Sequence, residues 1–555
     1  MPAPRPLTQC ESPKLDWSRP EAPCAKDFGD IYFSVDGGLE ETKAVFLKGC
    51  GLPEGWHGKS IYSIGELGFG SGLNFLAAWQ IWDKSKPKGG RLHFVSIEKY
   101  PFDAGQLSRA LAAWPALAPY AKRLAAQWPG RVKGFHRLHF GDVTLTLIHD
   151  DIAAGLDQLD AKIDAWFLDG FSPAKNPDMW SPRVMKQIAE LSAGGARLAT
   201  FTVAGTVRSA LIEAGFEVEK KEGFGRKRHR LEARFKAKAS TAAPLPQPVI
   251  IGAGIGGASL ARAFLARGIT PEIYHKPDHL AASHNHAACV KPRLDLQDRP
   301  ESRFFLASYL YARAAYQENI LYEGITHLAQ SEDEQARFAK LTAQAPMDSS
   351  HLRLEGQDLH LGKSLLIPMQ DTLSAWLGAA PLLSSAPPEA NLRIVAAGYG
   401  TRDIVGQDAL PLRYARGQQS WAASHKDITA PLTYGGYALP LDGGLLLGAT
   451  FDRPDGSDIF ALKPEDDVNN FAKLEAATGI KAQKSNKPSR ASVRVTTADT
   501  FPIITELTRG QWAFTGLGSR GFVFAPLLAE ALVSKLCGEP MPVSKLLWDR
   551  LGIRG

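Results

Sequence analysis

The sequence lacks the C-x-x-C spacing of a zinc site, and its five cysteines (Cys10, Cys24, Cys50, Cys289 and Cys537) are scattered and odd in number. That argues against a disulfide framework, leaves no metal site to expect, and makes a reducing cytoplasm the simple reading. No uninterrupted apolar run approaches the roughly 18 residues of a membrane span. The opening MPAPRPLTQCESPKLDW is polar and proline-rich, without the apolar segment of a secretory signal. No segment recurs at a fixed period. What is present, 44% apolar and 22% charged residues, is the composition of a soluble globular enzyme. At 555 residues the chain exceeds one ordinary core, so two or more domains are expected.

The net charge of +6 is uneven: residues 1–240 hold 33 Lys+Arg against 27 Asp+Glu, while 241–555 hold 31 of each. A modest surplus permits a polyanionic partner without requiring one. The stretch 237–247 has no apolar period, and Pro244, Pro246 and Pro248 fall within five residues, as in a linker. Domains over 1–236 and 248–555 are expected on its two sides. Both alternate short apolar runs with helical patterns, the mark of doubly wound α/β architecture. Before the linker, strands are predicted at Ser60–Glu66, Leu92–Glu98, Ile163–Leu168 and Ala196–Thr202. Phe216–Lys221 and Arg228–Phe235 read as a closing antiparallel pair. After it come a strand at Pro248–Gly252, a helix at Ala258–Arg267 and a strand at Pro271–Tyr274. Residues 300–470 mix both patterns and give no traceable order.

The first predicted strand runs into Gly68-Phe69-Gly70-Ser-Gly72 and then a helix. Glycines let the backbone turn sharply and approach a ligand, and a helix N-terminus offers free N–H groups. The G-x-G-x-G spacing differs from the G-x-G-x-x-G of dinucleotide binders. Glu98 ends the next strand, where a carboxylate can accept from both ribose hydroxyls. Asp142, after a third strand-like stretch, is placed to meet an adenine amino group. Glu66, Gly68, Phe69, Gly70, Gly72, Glu98 and Asp142 together suggest an S-adenosylmethionine site. Asp169 ends the strand Ile163–Leu168 at the switch-point crevice. There a carboxylate can orient an attacking amine and accept its proton. Asp-Gly is also a common turn pair, so a capping role stands beside that one. Lys220, Arg226, Lys227, Arg228 and Arg230 cluster on a connecting loop, which suits phosphate contacts or simply a solvated hairpin.

Beyond the linker, Val249-Ile-Ile-Gly252-Ala-Gly254-Ile-Gly256-Gly257 follows a strand and opens a helix, the context of a dinucleotide fingerprint. The acid expected at the end of the second strand is not clear: Glu272 lies inside that strand and Asp278 comes two residues late. Near the end, Gly516-Leu-Gly518-Ser-Arg-Gly521 precedes a helix predicted at Ala525–Leu536. Its N-terminus can stabilise negative charge on a reduced flavin.

Several segments resemble one family: Asp27-Phe-Gly-Asp30-Ile-Tyr32-Phe33, Gly38-Leu-Glu-Glu-Thr42, the stretch Glu66 to Phe75, Asp169-Gly-Phe171-Ser-Pro173-Ala-Lys-Asn-Pro-Asp178, and Gly223-Phe-Gly-Arg-Lys-Arg228. It is the family of bifunctional tRNA 5-methylaminomethyl-2-thiouridine biosynthesis proteins, and the resemblance runs from about residue 15 onward. Val395-Ala-Ala-Gly398 and Leu412 to Gln418 resemble the returning strand of glycine-oxidase-like flavoenzymes and the stretch after it. The resemblance implies a Rossmann-like methyltransferase domain followed by a glycine-oxidase-like FAD domain with an added antiparallel sheet. By it, FAD-dependent oxidation removes the carboxymethyl group of 5-carboxymethylaminomethyl(-2-thio)uridine, and S-adenosylmethionine then methylates the exposed amine. Asp169 would stand beside that amine, in a pocket of Asp30, Tyr32, Phe33, Phe171 and Pro173. FAD would lie on Gly252, Gly254, Gly256, Gly257, Gly398, Gly518 and Gly521, with Lys291 near the flavin. Arg494, then Arg520, are candidates to fork the substrate carboxylate, though both also suit surface ion pairs. The partner is then a tRNA anticodon stem-loop, with no membrane and no metal, and the chain a cytoplasmic monomer. A small-molecule N-methyltransferase fused to a sarcosine- or glycine-type oxidase is the alternative. A third reading keeps one half only as an RNA-binding scaffold.

Overall fold

Strands buried on both faces read as nearly continuous apolar runs, and Ile61–Leu67, Arg91–Ile97 and Ile163–Leu168 are of this kind. The structure is a computed structural model describing residues 5–18, 23–33, 37–225, 227–238, 246–276, 281–318, 320–385, 389–406, 408–453 and 459–554. It divides into two compact units. One comprises Gln9–Pro244 with Ser534–Leu546; the other comprises Met1–Thr8, Leu245–Val533 and Leu547–Gly555. Each unit thus includes a short segment from beyond 237–247, of which 239–245 lie outside the described residues.

In the first unit an eight-stranded sheet runs in the order Phe216–Glu222, His229–Phe235, Ser192–Thr200, Ile163–Leu168, Ile61–Leu67, Arg91–Ile97, Val143–His149, Gly134–His139. The five central strands are parallel, and antiparallel hairpins close both edges. Strand order reverses beside Ile61–Leu67, so a crevice opens where this strand and Ile163–Leu168 end. Alternate side chains split between two cores, as a period of two requires. Leu92, Phe94, Ala165 and Phe167 pack with Phe75, Trp79 and Trp82 on one face. Val95, Ile97, Trp166 and Leu168 pack with Ile188 and Leu211 on the other. Local signals set the helix starts: Asp103 and Gln106 form a reciprocal capping box, and Ser181 caps a helix with Pro182 in its first turn. Ser534–Leu546 packs into this unit, with Glu539 Oε1 lying 3.6 Å from Arg91 Nε and 3.5 Å from His93 Nε2.

The second unit has two sheets. The first runs Leu382–Leu383, Glu272–Tyr274, Pro248–Ile251, Leu392–Val395, Gln511–Thr515, Ile503–Thr508, and every pairing but the last is parallel. The helix Ile255–Leu265 starts three residues before its predicted position, directly after Gly254. The second, nine-stranded sheet is built mainly from the stretch that the sequence left untraced, including Tyr322–His327, Asp358–Pro368, Arg413–Ala423 and Tyr437–Leu441. Its helix Pro464–Thr478 is tied to Arg413–Ala423 by Asp467, which accepts from Gln418, Ser420, Ser489 and Lys484. Among the described residues no helix is long and apolar enough to cross a membrane.

Candidate active sites

At the crevice of the first unit, Gly68, Gly70 and Gly72 all have positive φ (86°, 52° and 79°). A side chain at Gly68 would put its Cβ 3.2 Å from the Asp169 carbonyl oxygen. The loop backbone therefore lies against the end of the neighbouring strand, where glycine is required. Glu98 ends the adjacent strand on the other side; it accepts from Gly70 N at 2.9 Å and from Tyr100 N at 2.8 Å. Burial pushes its carboxyl up, and these backbone donors oppose the shift. Phe69 turns its ring into the core, stacked on Trp128 at 5.6 Å between centroids, so only its backbone faces the loop.

Asp169 stands where the sequence placed it. Its Oδ1 accepts from Gly170 N at 2.9 Å, the turn contact expected of Asp-Gly, and its Oδ2 accepts from Asn74 Nδ2 at 2.8 Å. The same amide nitrogen donates to Glu66 Oε1 at 3.0 Å, and Asn74 Oδ1 accepts from Thr42 Oγ1 at 2.8 Å. Ser96 Oγ donates to Glu66 Oε2 at 2.6 Å. Burial pushes the Asp169 carboxyl up to about 6, with the Asn74 hydrogen bond opposing it. Burial also holds the Glu66 carboxyl well above the usual range. Asn74, Thr42 and Ser96 were not singled out from the sequence; Asn74 sits in the Glu66–Phe75 motif, which was the available signal.

Asp142 does not reach this crevice. It lies in the turn between Gly134–His139 and Val143–His149, level with Arg91 and Leu92, and pairs with Lys86 Nζ at 2.7 Å. The strand-like stretch before it runs antiparallel, which puts Asp142 at the amino end of the parallel strand, roughly 20 Å from its carboxyl end. At that carboxyl end stand Asp150 and Asp151. Asp150 lies two residues beyond Ile148, whose carbonyl oxygen accepts from Glu98 N at 2.9 Å.

Aromatic residues wall the crevice beyond Asp169. Phe171 stacks on Phe28 at 4.5 Å and meets Tyr32 edge-on at 5.4 Å. Asp30 Oδ2 accepts from Ser172 N at 3.3 Å, and Lys175 Nζ lies 3.4 Å from Asp30 Oδ1. Pro173 belongs to the same half-buried loop. Phe33 is instead buried against Trp114, in the core beneath the wall. On the hairpin, Lys227 Nζ pairs with Glu41 Oε1 at 2.9 Å and sits 4.1 Å from the Phe201 ring centroid. Arg230 is held by Glu232 and the Glu222 carbonyl, whereas Lys220 and Arg228 are exposed. Arg226 lies outside the described residues.

In the second unit, Gly252 has φ 111°, and a Cβ there would stand 2.5 Å from the Ala396 carbonyl oxygen. A Cβ at Gly257 would stand 1.8 Å from Gly252 O, and one at Gly256 would stand 3.2 Å from Phe514. Gly254 caps the helix, whose Ile255 N donates to Ser283 Oγ at 3.1 Å. Gly521 opens the helix Gly521–Cys537 with its Cα against Ile255, so two helix N-termini meet here. Gly398 (φ 56°) follows the returning strand, and Gly518 (φ 59°) stands beside Thr496. This glycine cradle, with its converging N–H groups, fits a dinucleotide diphosphate. Asp278 lies outside the described residues.

Arg494 lies half-buried over Gly417, where a Cβ would meet its Nη2 at 2.8 Å. Among the described residues no carboxylate pairs with it. Burial lowers the proton affinity of its guanidinium, and Tyr437 opposes the shift. The Tyr437 hydroxyl accepts from Gln419 Nε2 at 2.6 Å. Lys291 Nζ donates to Thr433 Oγ1 at 2.9 Å, and burial pushes its ammonium down to about 8. Arg520 is exposed, just before the helix Gly521–Cys537.

A family model described as S-adenosyl-L-methionine-dependent methyltransferase matches residues 115–236, and one described as FAD dependent oxidoreductase matches 385–535. The tRNA 5-methylaminomethyl-2-thiouridine biosynthesis bifunctional protein MnmC of Caulobacter vibrioides is 39% identical over 581 residues, covering 98% of this chain and 97% of that protein. The chain belongs to this family. The protein of the same description from Maricaulis maris is also 39% identical, over 95% of this chain and 93% of its own length. Glycine oxidase from Geobacillus kaustophilus overlays with a TM-score of 0.48 at 14% identity, covering 56% of this chain and 98% of that structure. Members of the family are bifunctional enzymes, and the two matched models make S-adenosylmethionine and FAD the cofactors of this chain.

Proposed function

We propose that this chain completes a modified wobble uridine of tRNA in two steps, and the full-length family match carries that reading. First, the secondary amine of 5-carboxymethylaminomethyl(-2-thio)uridine is oxidised to an imine, whose hydrolysis gives 5-aminomethyl(-2-thio)uridine and a two-carbon oxoacid. The new primary amine is then methylated to 5-methylaminomethyl(-2-thio)uridine. When bound, FAD would supply the hydride acceptor of the first step and S-adenosylmethionine the methyl group of the second.

The chain's own groups position substrate and move protons. Arg494 binds the carboxylate of the carboxymethyl arm through its planar fork, with Lys291 and Arg520 flanking it. Gly252, Gly254, Gly256, Gly257, Gly398, Gly518 and Gly521 hold FAD by backbone approach. The loop Gly68–Gly72, with Glu66 and Glu98, would hold S-adenosylmethionine. Asp150 takes the adenine-side position first given to Asp142. Asp169 accepts a proton from the attacking amine, which is otherwise mostly protonated at neutral pH. Tyr32, Phe171 and Asp30 wall the acceptor pocket, while Lys220, Arg228 and their neighbours meet the anticodon stem-loop phosphates. Residues 1–236 carry methyl transfer and 248–555 oxidation, in a cytoplasmic monomer.

The test supplies the FAD-loaded chain with S-adenosylmethionine and tRNA bearing 5-carboxymethylaminomethyluridine, followed by nucleoside mass spectrometry. Accumulation of 5-methylaminomethyluridine is expected. Unchanged tRNA together with turnover of free N-substituted glycines would replace this reading with the small-molecule pair.

A further inference from the structure

Asn74 touches both carboxylates at the end of the Ile61–Leu67 and Ile163–Leu168 strands, and its own orientation is fixed from behind. Its Nδ2 lies 3.0 Å from Glu66 Oε1 and 2.8 Å from Asp169 Oδ2. The ionised Asp169 carboxylate only accepts hydrogen bonds, so the amide must turn its NH2 group toward it. Its carbonyl oxygen then faces Thr42, whose hydroxyl donates at 2.8 Å. With these three bonds the amide uses both of its N–H donors and one acceptor site, and its side chain is almost wholly buried (6% exposed). A rotated amide would set Oδ1 against the Asp169 carboxylate oxygen in a dry site, where an unmatched polar contact is costly.

We propose that Asn74 is a positioning residue for methyl transfer, holding Asp169 Oδ2 so that the remaining lone pairs of the carboxylate face the accepting amine, and that Thr42 locks the amide in the orientation this needs. The proposal rests on the reading of Asp169 as the proton acceptor. It assigns work to two side chains that need not touch cofactor or substrate. The other groups acting on this site are Glu66 and Glu98 on adjacent strands, Glu41 before Thr42, and Lys227 on the hairpin. Glu41 favours the protonated carboxyl at Asp169 and Lys227 the ionised one. The Asn74 N–H bond stabilises the ionised form, so its loss moves the acid limb of methyl transfer to higher pH.

The experiment is single-turnover methylation of tRNA bearing 5-aminomethyluridine by the full FAD-loaded chain at saturating S-adenosylmethionine, across pH. Thr42→Val removes the hydroxyl at nearly constant volume. It is expected to slow methyl transfer roughly tenfold and to raise the acid limb, while Thr42→Ser restores both. Asn74→Ala is expected to lose roughly a hundredfold, with affinity for S-adenosylmethionine and oxidase turnover retained as evidence of folding. Wild-type rate and limb in both Thr42→Val and Asn74→Ala would overturn the proposal. So would a loss lying wholly in S-adenosylmethionine affinity with the limb unmoved. Failure of the wild-type chain to methylate this tRNA at all would overturn the underlying function instead.

Discussion

Lys227 and Glu41 form an ion pair of 2.9 Å at the rim of the methyltransferase crevice, and both charges act on Asp169. Burial dominates at Asp169 and pushes its carboxyl up to about 6. A base with a raised pKa is available above that value and is lost as pH falls through it. Methyl transfer should therefore drop about tenfold per pH unit below the acid limb, where the protonated carboxyl no longer accepts. Lys227→Met removes the cation that favours ionisation, so the limb should move to higher pH. Asp169→Asn should stop methylation while oxidation continues, and tRNA should accumulate 5-aminomethyluridine. Nucleoside mass spectrometry reads all three, and undiminished methylation by Asp169→Asn would remove the carboxylate from the mechanism.

Gly252 offers a second test, confined to the flavin unit. Its φ of 111° is strained for any other residue, and a Cβ would stand 2.5 Å from a backbone oxygen, which cannot swing aside as a side chain can. Gly252→Ala should shift the loop that approaches the diphosphate. The purified variant is expected to lose its visible flavin absorbance and its oxidase activity while still methylating tRNA that already carries 5-aminomethyluridine. A yellow variant with normal flavin content would show that the diphosphate lies elsewhere.

The parts legible from the sequence share a cause. Ile61–Leu67 and Ile163–Leu168 are buried on both faces, so their composition announces a central parallel strand and its carboxyl end, and Glu66 and Asp169 follow from that. Asp142 was misplaced because apolar alternation in Gly134–His139 is the same whether the strand runs parallel or antiparallel. Direction is set by the tight turn at Gly141–Asp142, a tertiary choice that the pattern does not encode. Asn74 was illegible for a different reason. A polar residue in the first turn of a helix reads as local capping, and only the fold brings Thr42, 32 residues earlier, and Asp169, 95 residues later, to its amide. The nine-stranded sheet escaped tracing because it joins distant segments, such as Arg413–Ala423 with Arg490–Thr496, whose burial depends on partners far along the chain.

Arg494 gives a prediction that separates binding from flavin chemistry. Its guanidinium has no carboxylate partner among the described residues and occupies the space that Gly417 leaves open. Arg494→Gln keeps hydrogen-bonding capacity but loses the charge and the fork. Flavin content should stay normal, while reduction by the carboxymethylaminomethyl substrate should fall by roughly a hundredfold or more, the cost of a charged hydrogen-bonded pair. Anaerobic stopped-flow absorbance measures it. Unchanged flavin reduction would mean that another cation, with Lys291 first in line, holds the substrate carboxylate.

Arg228 and Lys220 are exposed, while Lys227 and Arg230 on the same hairpin are already committed to Glu41 and Glu232. An exposed cation that meets a phosphate releases a counterion, whereas one that spends its charge on a carboxylate releases little. Arg228→Ala should therefore weaken tRNA binding and flatten the dependence of log Kd on log salt by about one unit. Arg230→Ala should weaken binding less, because its lost partners are Glu232 and the Glu222 carbonyl. Filter binding of tRNA across a salt series distinguishes the two. Equal slopes for wild type and Arg228→Ala would place the phosphate contacts off this hairpin and return it to a solvated turn.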